Sequence, residues 1–123
     1  MICAMDAGKV INPDLAHHQV VGSLSMGISY SMMEGFKFNS RGQILNENLR
    51  DFKILRYNQQ PRYDIILLET PQLDGPYGAR GVGEPAIIGI PAGLSIALER
   101  ALGREVSAIP ITPESLMRED HHE

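Results

Sequence analysis

Residues 75–91 read G-P-Y-G-A-R-G-V-G-E-P-A-I-I-G-I-P, and the rest of the chain can be read as scaffold for them. Four glycines (Gly75, Gly78, Gly81, Gly83) fall within nine residues and lead straight into Glu84-Pro85. Glycine belongs where φ must be positive, or where another group must approach the backbone closely. Proline just after Glu84 suits the first turn of a helix, where its missing N–H would have had no partner anyway. The stretch therefore reads as a tight glycine loop ending at a helix start, with one carboxylate at the junction. The positive end of a helix dipole favours a charged carboxylate there. Glu84 is placed like a base that must be ionised near neutral pH.

Downstream, a helix is predicted over about 85–102, with Ile87, Ile90, Leu94, Ala97, Leu98, Ala101 and Leu102 on one stripe and Gly103 as its cap. Pro91 either kinks it or restarts it after a short first turn. Val106–Ile111 reads as a short extended piece, and Thr112-Pro113-Glu114 as the cap of a final helical turn. Upstream, Met1–Ala4 suits a short strand closed by the turn-like Asp6-Ala7-Gly8. Asn12-Pro13-Asp14 is a helix start, with Asn12 as N-cap and the helix running to about Glu34. From Val20 to Met33 that helix is apolar or small nearly all round, which predicts burial on most sides. Phe36-Lys37-Phe38 alternates as a strand, Asn39–Gly42 is a hairpin turn, and Gln43–Leu45 begins the return. Asp51–Tyr57 reads as extended, and Tyr63–Thr70 as a buried strand around Ile65-Ile66-Leu67-Leu68. The expected fold is α+β: two main helices packed on a small mixed or antiparallel sheet, one domain over residues 1–117 and a charged tail over 118–123.

A length of 123 residues suits one domain, and 43% hydrophobic with 21% charged residues is ordinary for a globular protein. Eleven basic against fifteen acidic residues give a net charge of −4 with no basic block, which argues against a nucleic-acid partner. No run approaches the ~20 apolar residues of a membrane span. The lone Cys3 excludes an internal disulfide, fits a reducing, cytoplasmic setting and reads as a small core residue.

Other motifs are weaker. Gly81-Val82-Gly83-Glu84-Pro85-Ala86 matches G-x-G-x-x-A in form, but a polar glycine loop precedes it where a dinucleotide site needs a buried strand. Gly22–Gly27 misses G-x-S-x-G by one position. His17-His18 and His121-His122 are adjacent pairs, and helix neighbours point about 100° apart, whereas chelation from one helix needs i,i+4 spacing. The first pair reads as solvated or capping, the second as part of a disordered tail. Tyr77 and Arg80 flank the glycine loop and suit surface packing or a salt bridge as well as ligand contact. Gln19 is either a surface residue or a buried amide reaching a polar ligand.

Taken together, Asp6-x-Gly8 with Asn12-Pro13, Gln19-x-x-Gly22 with Gly27, Asp51-Phe52-Lys53-Ile54, Gly81-Val82-Gly83-Glu84-Pro85 and the closing 109–116 segment carry a resemblance. In order and spacing the chain resembles the C-terminal portion of the molybdopterin-binding subunit of the xanthine oxidase/aldehyde oxidase family, the molybdenum hydroxylases. The resemblance implies that Glu84 is the general base acting on a metal-bound hydroxyl. It implies that Gln19 hydrogen-bonds the pterin, and that Gly81, Val82 and Gly83 lie against the cofactor through their backbone. The cofactor would be molybdopterin, with molybdenum held by pterin sulfur and non-protein ligands, so no side chain here is a metal ligand. The implied reaction is water-derived hydroxylation of an N-heteroaromatic (xanthine-like) or aldehyde carbon of a small-molecule substrate. Iron–sulfur and FAD centres are expected on partner subunits or segments, since one cysteine cannot hold a cluster that needs four thiolates. The rest of the molybdopterin-binding subunit is the first expected partner, no membrane is, and the chain alone is expected to lack turnover. Arg80 stands where the family often has lysine. The rival reading is a non-catalytic assembly or regulatory module that keeps the fold without the reaction.

Overall fold

The computed structural model describes residues 1–117; the tail expected at 118–123 lies outside the described residues. The element order is β1 (Ile2–Asp6), α1 (Pro13–Met32), β2 (Asp64–Leu68), α2 (Ile90–Leu102) and α3 (Pro113–Met117), with 3-10 turns at Tyr57–Gln59, Pro76–Gly78 and Pro85–Ile87. The α+β class holds, but the sheet is a correction. Instead of a mixed or antiparallel sheet, β1 and β2 pair in parallel, from Ile2 opposite Asp64 to Asp6 opposite Leu68. The reason is the connection between them. It contains the whole of α1, and a crossover of that length is what parallel neighbours require, whereas a hairpin makes antiparallel ones.

α1 begins as its sequence dictates: the Asn12 carboxamide oxygen accepts from the Leu15 N–H at 3.0 Å, and Pro13 opens the first turn. It ends at Met32, two residues before the expected end, where Met33 and Glu34 both donate to the Ser29 carbonyl. Ala16, Val20, Leu24 and Ile28 form its buried stripe, joined in the core by Ala7 and Ile111. Burial on most sides does not hold within this chain, because Met26 and Tyr30 are 47% and 48% exposed. The small residues act locally. A Cβ on Gly27 would lie 2.8 Å from Ile90, so this glycine sets the approach of α2. Ser29 Oγ accepts from the Leu55 N–H, and Ser31 Oγ donates to the Gly27 carbonyl, so these buried hydroxyls are satisfied.

The expected helix over 85–102 resolves into a restart. A 3-10 turn at Pro85–Ile87 precedes α2 proper, which begins at Ile90 with Pro91 in its first turn and ends on left-handed Gly103 (φ 70°). The span Pro85–Leu102 is apolar enough, at mean hydropathy 1.3, to pass for a membrane crossing by length and composition. The regular helix covers thirteen of those residues, about 20 Å against a hydrocarbon core of about 30 Å.

Between α1 and β2 the Asn39–Gly42 turn forms as expected, with Gly42 at φ 76° and the Asn39 carboxamide accepting from Arg41 and Gln43 N–H groups. The strands around it do not: Phe38 and Ile44 make a single bridge. Asn46, buried, takes over instead, accepting from the Lys37 N–H and donating to the Gly35 carbonyl. The 51–57 segment is irregular, and the run around Ile65 is a strand with Ile66 and Leu68 each 51% exposed, not a buried one. Near the C-terminus no strand forms over 106–111; Ile111 is buried and donates its N–H to the Ser31 carbonyl. The final turn is capped by Thr112, whose hydroxyl accepts from the Ser115 N–H at 3.2 Å.

Candidate functional site

The glycine loop is fastened to the β1–α1 connection by backbone alone. Gly8 and Ala79 form an antiparallel bridge, the Gly78 carbonyl accepts from Lys9 and Gln72 N–H groups at 2.7 and 3.0 Å, and Arg80 N–H reaches the Ala7 carbonyl at 2.9 Å. The demand for glycine falls here. Gly8 (φ 59°) would put a Cβ 2.5 Å from the Gly78 carbonyl oxygen, and Gly78 itself sits at φ 79°. Tyr77 takes a positive φ of 55° without being glycine, with its side chain 90% exposed. Gly81 and Gly83 differ: neither has a positive φ, and a Cβ on either would meet open space.

Glu84 is exposed and stands just before the three-residue turn Pro85–Ile87, with φ −115°, ψ 7° and no side-chain capping bond. This corrects the dipole argument. The aligned peptide stack of α2 starts six residues further on, and three residues of 3-10 turn align too few peptides to act like a helix end. The carboxylate therefore owes its accessibility to exposure and gains little from a helix terminus.

Gln19 and Ser23 lie one turn apart on the same face of α1, and both reach the Gly83 carbonyl: Ser23 Oγ donates at 2.6 Å and Gln19 Nε2 at 3.3 Å. The structure thus brings Gln19 and Gly83, residues 64 apart, into one hydrogen bond. Ser23 is the member that sequence reasoning missed; its i+4 spacing from Gln19 was the available signal. Beside this junction is a hollow of about 390 Å³, to which Gln19, Arg80, Val82 and Gly83 contribute one wall and Val10, Asn12 and Leu15 another. Gly81 and Glu84 do not line it. Glu84 follows Gly83 directly in the chain.

Two carboxylates hold the cations at this hollow. Asp6 Oδ1 accepts from the Gly8 and Thr70 N–H groups at 3.0 and 3.1 Å, and its Oδ2 lies 3.7 Å from Arg80 Nη2. Those backbone donors, Gly8 first, then Thr70, with the Arg80 charge adding to them, hold the Asp6 carboxyl below its ordinary value. Glu69 accepts from the Val10 N–H at 2.7 Å and pairs with Lys9 at 3.3 Å, and these contacts lower it likewise. The hollow is consequently a cleft with apolar sides, a few fixed polar groups and the two carboxylate-paired cations Lys9 and Arg80 in its lining, a composition that suits an organic cofactor. His17 and His18 stack edge to face at 5.9 Å, and among the described residues no cluster of three or more His, Cys, Asp or Glu could hold a metal ion.

These features suit a pterin. Open backbone at Gly81 and Gly83 admits close approach to N–H groups, and the Gln19 carboxamide sits exposed beside the hollow with its nitrogen already oriented. Comparison with known proteins gives the same direction. The molybdopterin cofactor-binding domain family matches residues 1–61. The chain is 32% identical over 117 residues to the putative xanthine dehydrogenase molybdenum-binding subunit XdhA of Escherichia coli (strain K12), covering 94% of this chain and 16% of that protein. It is 30% identical over 119 residues to the aldehyde oxidoreductase molybdenum-binding subunit PaoC of the same organism, covering 95% of this chain and 16% of that protein. Quinoline 2-oxidoreductase from Pseudomonas putida 86 superposes with a TM-score of 0.88 at 31% identity, over 95% of this chain and 15% of that one. The chain thus spans about a sixth of the length of the relatives it matches. Matching family, shared sequence and shared fold agree, and the chain belongs to the molybdopterin-binding subunits of the xanthine oxidase/aldehyde oxidase family of molybdenum hydroxylases.

Proposed function

We propose that this chain is the base-bearing part of a molybdenum hydroxylase, working with the remaining polypeptide of its subunit and with iron–sulfur and flavin partners. The observation that supports it best is the joint between Gln19, Ser23 and Gly83, which anchors the glycine loop beside a cleft and leaves Glu84 as the next, exposed residue. The molybdenum cofactor, when bound, supplies the oxidising centre and the activation of water. This chain supplies position and proton transfer. Gln19 and the backbone of Gly81, Val82 and Gly83 hold polar edges of the pterin. The Glu84 carboxylate, free of any capping bond, accepts a proton as the oxygen of water is committed to substrate. The substrate class is an N-heteroaromatic or aldehyde carbon, in keeping with relatives named for quinoline and for aldehydes.

The test is Glu84→Gln in the assembled enzyme. Turnover should fall by roughly 10²-fold or more while molybdenum and pterin content stay at the parent level. A near-parent rate removes Glu84 from the reaction. A stable assembly that carries neither molybdenum nor pterin favours the non-catalytic module instead, a reading to which the absence of Glu84 from the hollow's lining lends some support.

A further inference from the structure

α2 is packed on one side only. Ile90 packs against α1 at Gly27, and Leu94 and Leu98, half-buried, follow it at helical spacing. The exposed residues of α2 are Ala92, Gly93, Ile96, Ala97, Arg100, Ala101 and Leu102, with Ile96 at 49% and a single charge among them. No residue of α2 is buried. A surface helix normally turns a polar face outward, whereas a helix that is apolar all round is covered all round. Gly93 sharpens the point. It has no positive φ, a Cβ there would meet nothing, and a mid-helix glycine costs about 1 kcal/mol relative to alanine. Nothing among the described residues repays that cost, whereas close approach of another backbone would.

We propose that the outer face of α2, centred on Gly93 and Ile96, docks a helix from the remaining polypeptide of the molybdenum-binding subunit. This rests on the reading that the chain works with that polypeptide. The choice of occupant follows from length: the matching relatives are some six times longer than the matched segment, and the same fold occurs, at TM-score 0.88, as 15% of the quinoline 2-oxidoreductase chain. A bilayer is the poorer occupant, because α2 has thirteen residues and carries Glu99 and Arg100. Small side chains at Gly93 and Ala97 favour a helix that crosses close to the backbone, toward the short end of the usual 8–10 Å range.

The experiment places a photo-crosslinking amino acid at Ile96 in the full chain, expressed in its own cells, with the products identified by mass spectrometry. Cross-links to one helix of a polypeptide that aligns with the unmatched part of the relatives are expected. Gly93→Leu and, independently, Ala97→Leu should reduce recovery of that polypeptide at least tenfold while the circular dichroism and melting temperature of the chain itself are retained. Cross-links to a second copy of the chain, to lipid or to nothing overturn the proposal, as does undiminished recovery with both leucine variants. Failure of the catalytic reading is separable: Glu84→Gln with parent turnover would leave the Ile96 cross-link in place.

Discussion

Asp6 gathers more of the site than any other single side chain. Its carboxylate ties the end of β1 to Gly8, to Thr70 beyond β2 and to Arg80 of the glycine loop. Because those contacts favour the ionised form, its folded-state pKa lies below the ordinary 3.8. The stabilisation is therefore complete above about pH 4 and is lost as pH falls further, where the unfolded chain takes up a proton first. Glu69 and Glu114, both lowered from 4.5, act in the same direction. Melting temperature measured from pH 7 to pH 3 should fall below about pH 4.5, and Asp6→Asn should flatten the lowest part of that curve. At Glu84 the expectation is kinetic: the glutamine variant should lose turnover without losing cofactor or melting temperature. Its side chain makes no capping bond to lose.

At the scale of elements, α1 and α2 differ in what a glycine does for them. On α1, Gly27 lies against Ile90, and the atoms a new Cβ would meet include the Ile90 Cβ, which cannot swing aside. Gly27→Ala should destabilise the chain, because overpacking of about 1–3 kcal/mol outweighs a propensity gain of about 1 kcal/mol. On α2, Gly93→Ala meets nothing and should stabilise the isolated chain by up to about 1 kcal/mol. Urea denaturation of the two variants side by side checks both signs. The α1 cap offers a third measurement: Asn12→Ala removes the bond to Leu15 N–H and should cost about 1 kcal/mol. That cap and the Asn39–Gly42 turn were legible in advance because caps and turn glycines act over a few residues. The strands flanking the Asn39–Gly42 turn were not. Alternation suggested a hairpin, but buried Asn46 satisfies the backbone at Lys37 and Gly35 and leaves one bridge in its place.

For the whole molecule the decisive quantity is how little is enclosed. Six apolar residues are buried among the described residues, while Ile2, Ile66 and Leu68 stand half or more exposed on a two-stranded parallel sheet. Parallel sheets are ordinarily covered on both faces. The chain purified alone should accordingly show no hydroxylase turnover and should bind a hydrophobic dye such as ANS, both reversed on assembly with the rest of its subunit. What the sequence by itself determined was local: the α1 cap and start, the glycine loop, a break in the second helix near Pro91 and the ordered set of residues that carries the family. Short-range backbone chemistry and residue identity suffice for those. Only the tertiary structure decided the parallel pairing of β1 and β2, the meeting of Gln19 and Ser23 with the Gly83 carbonyl, and the position of Glu84 outside the hollow and away from any long helix end. Each depends on where two distant stretches of backbone come to rest against each other, and no periodicity within either stretch encodes that.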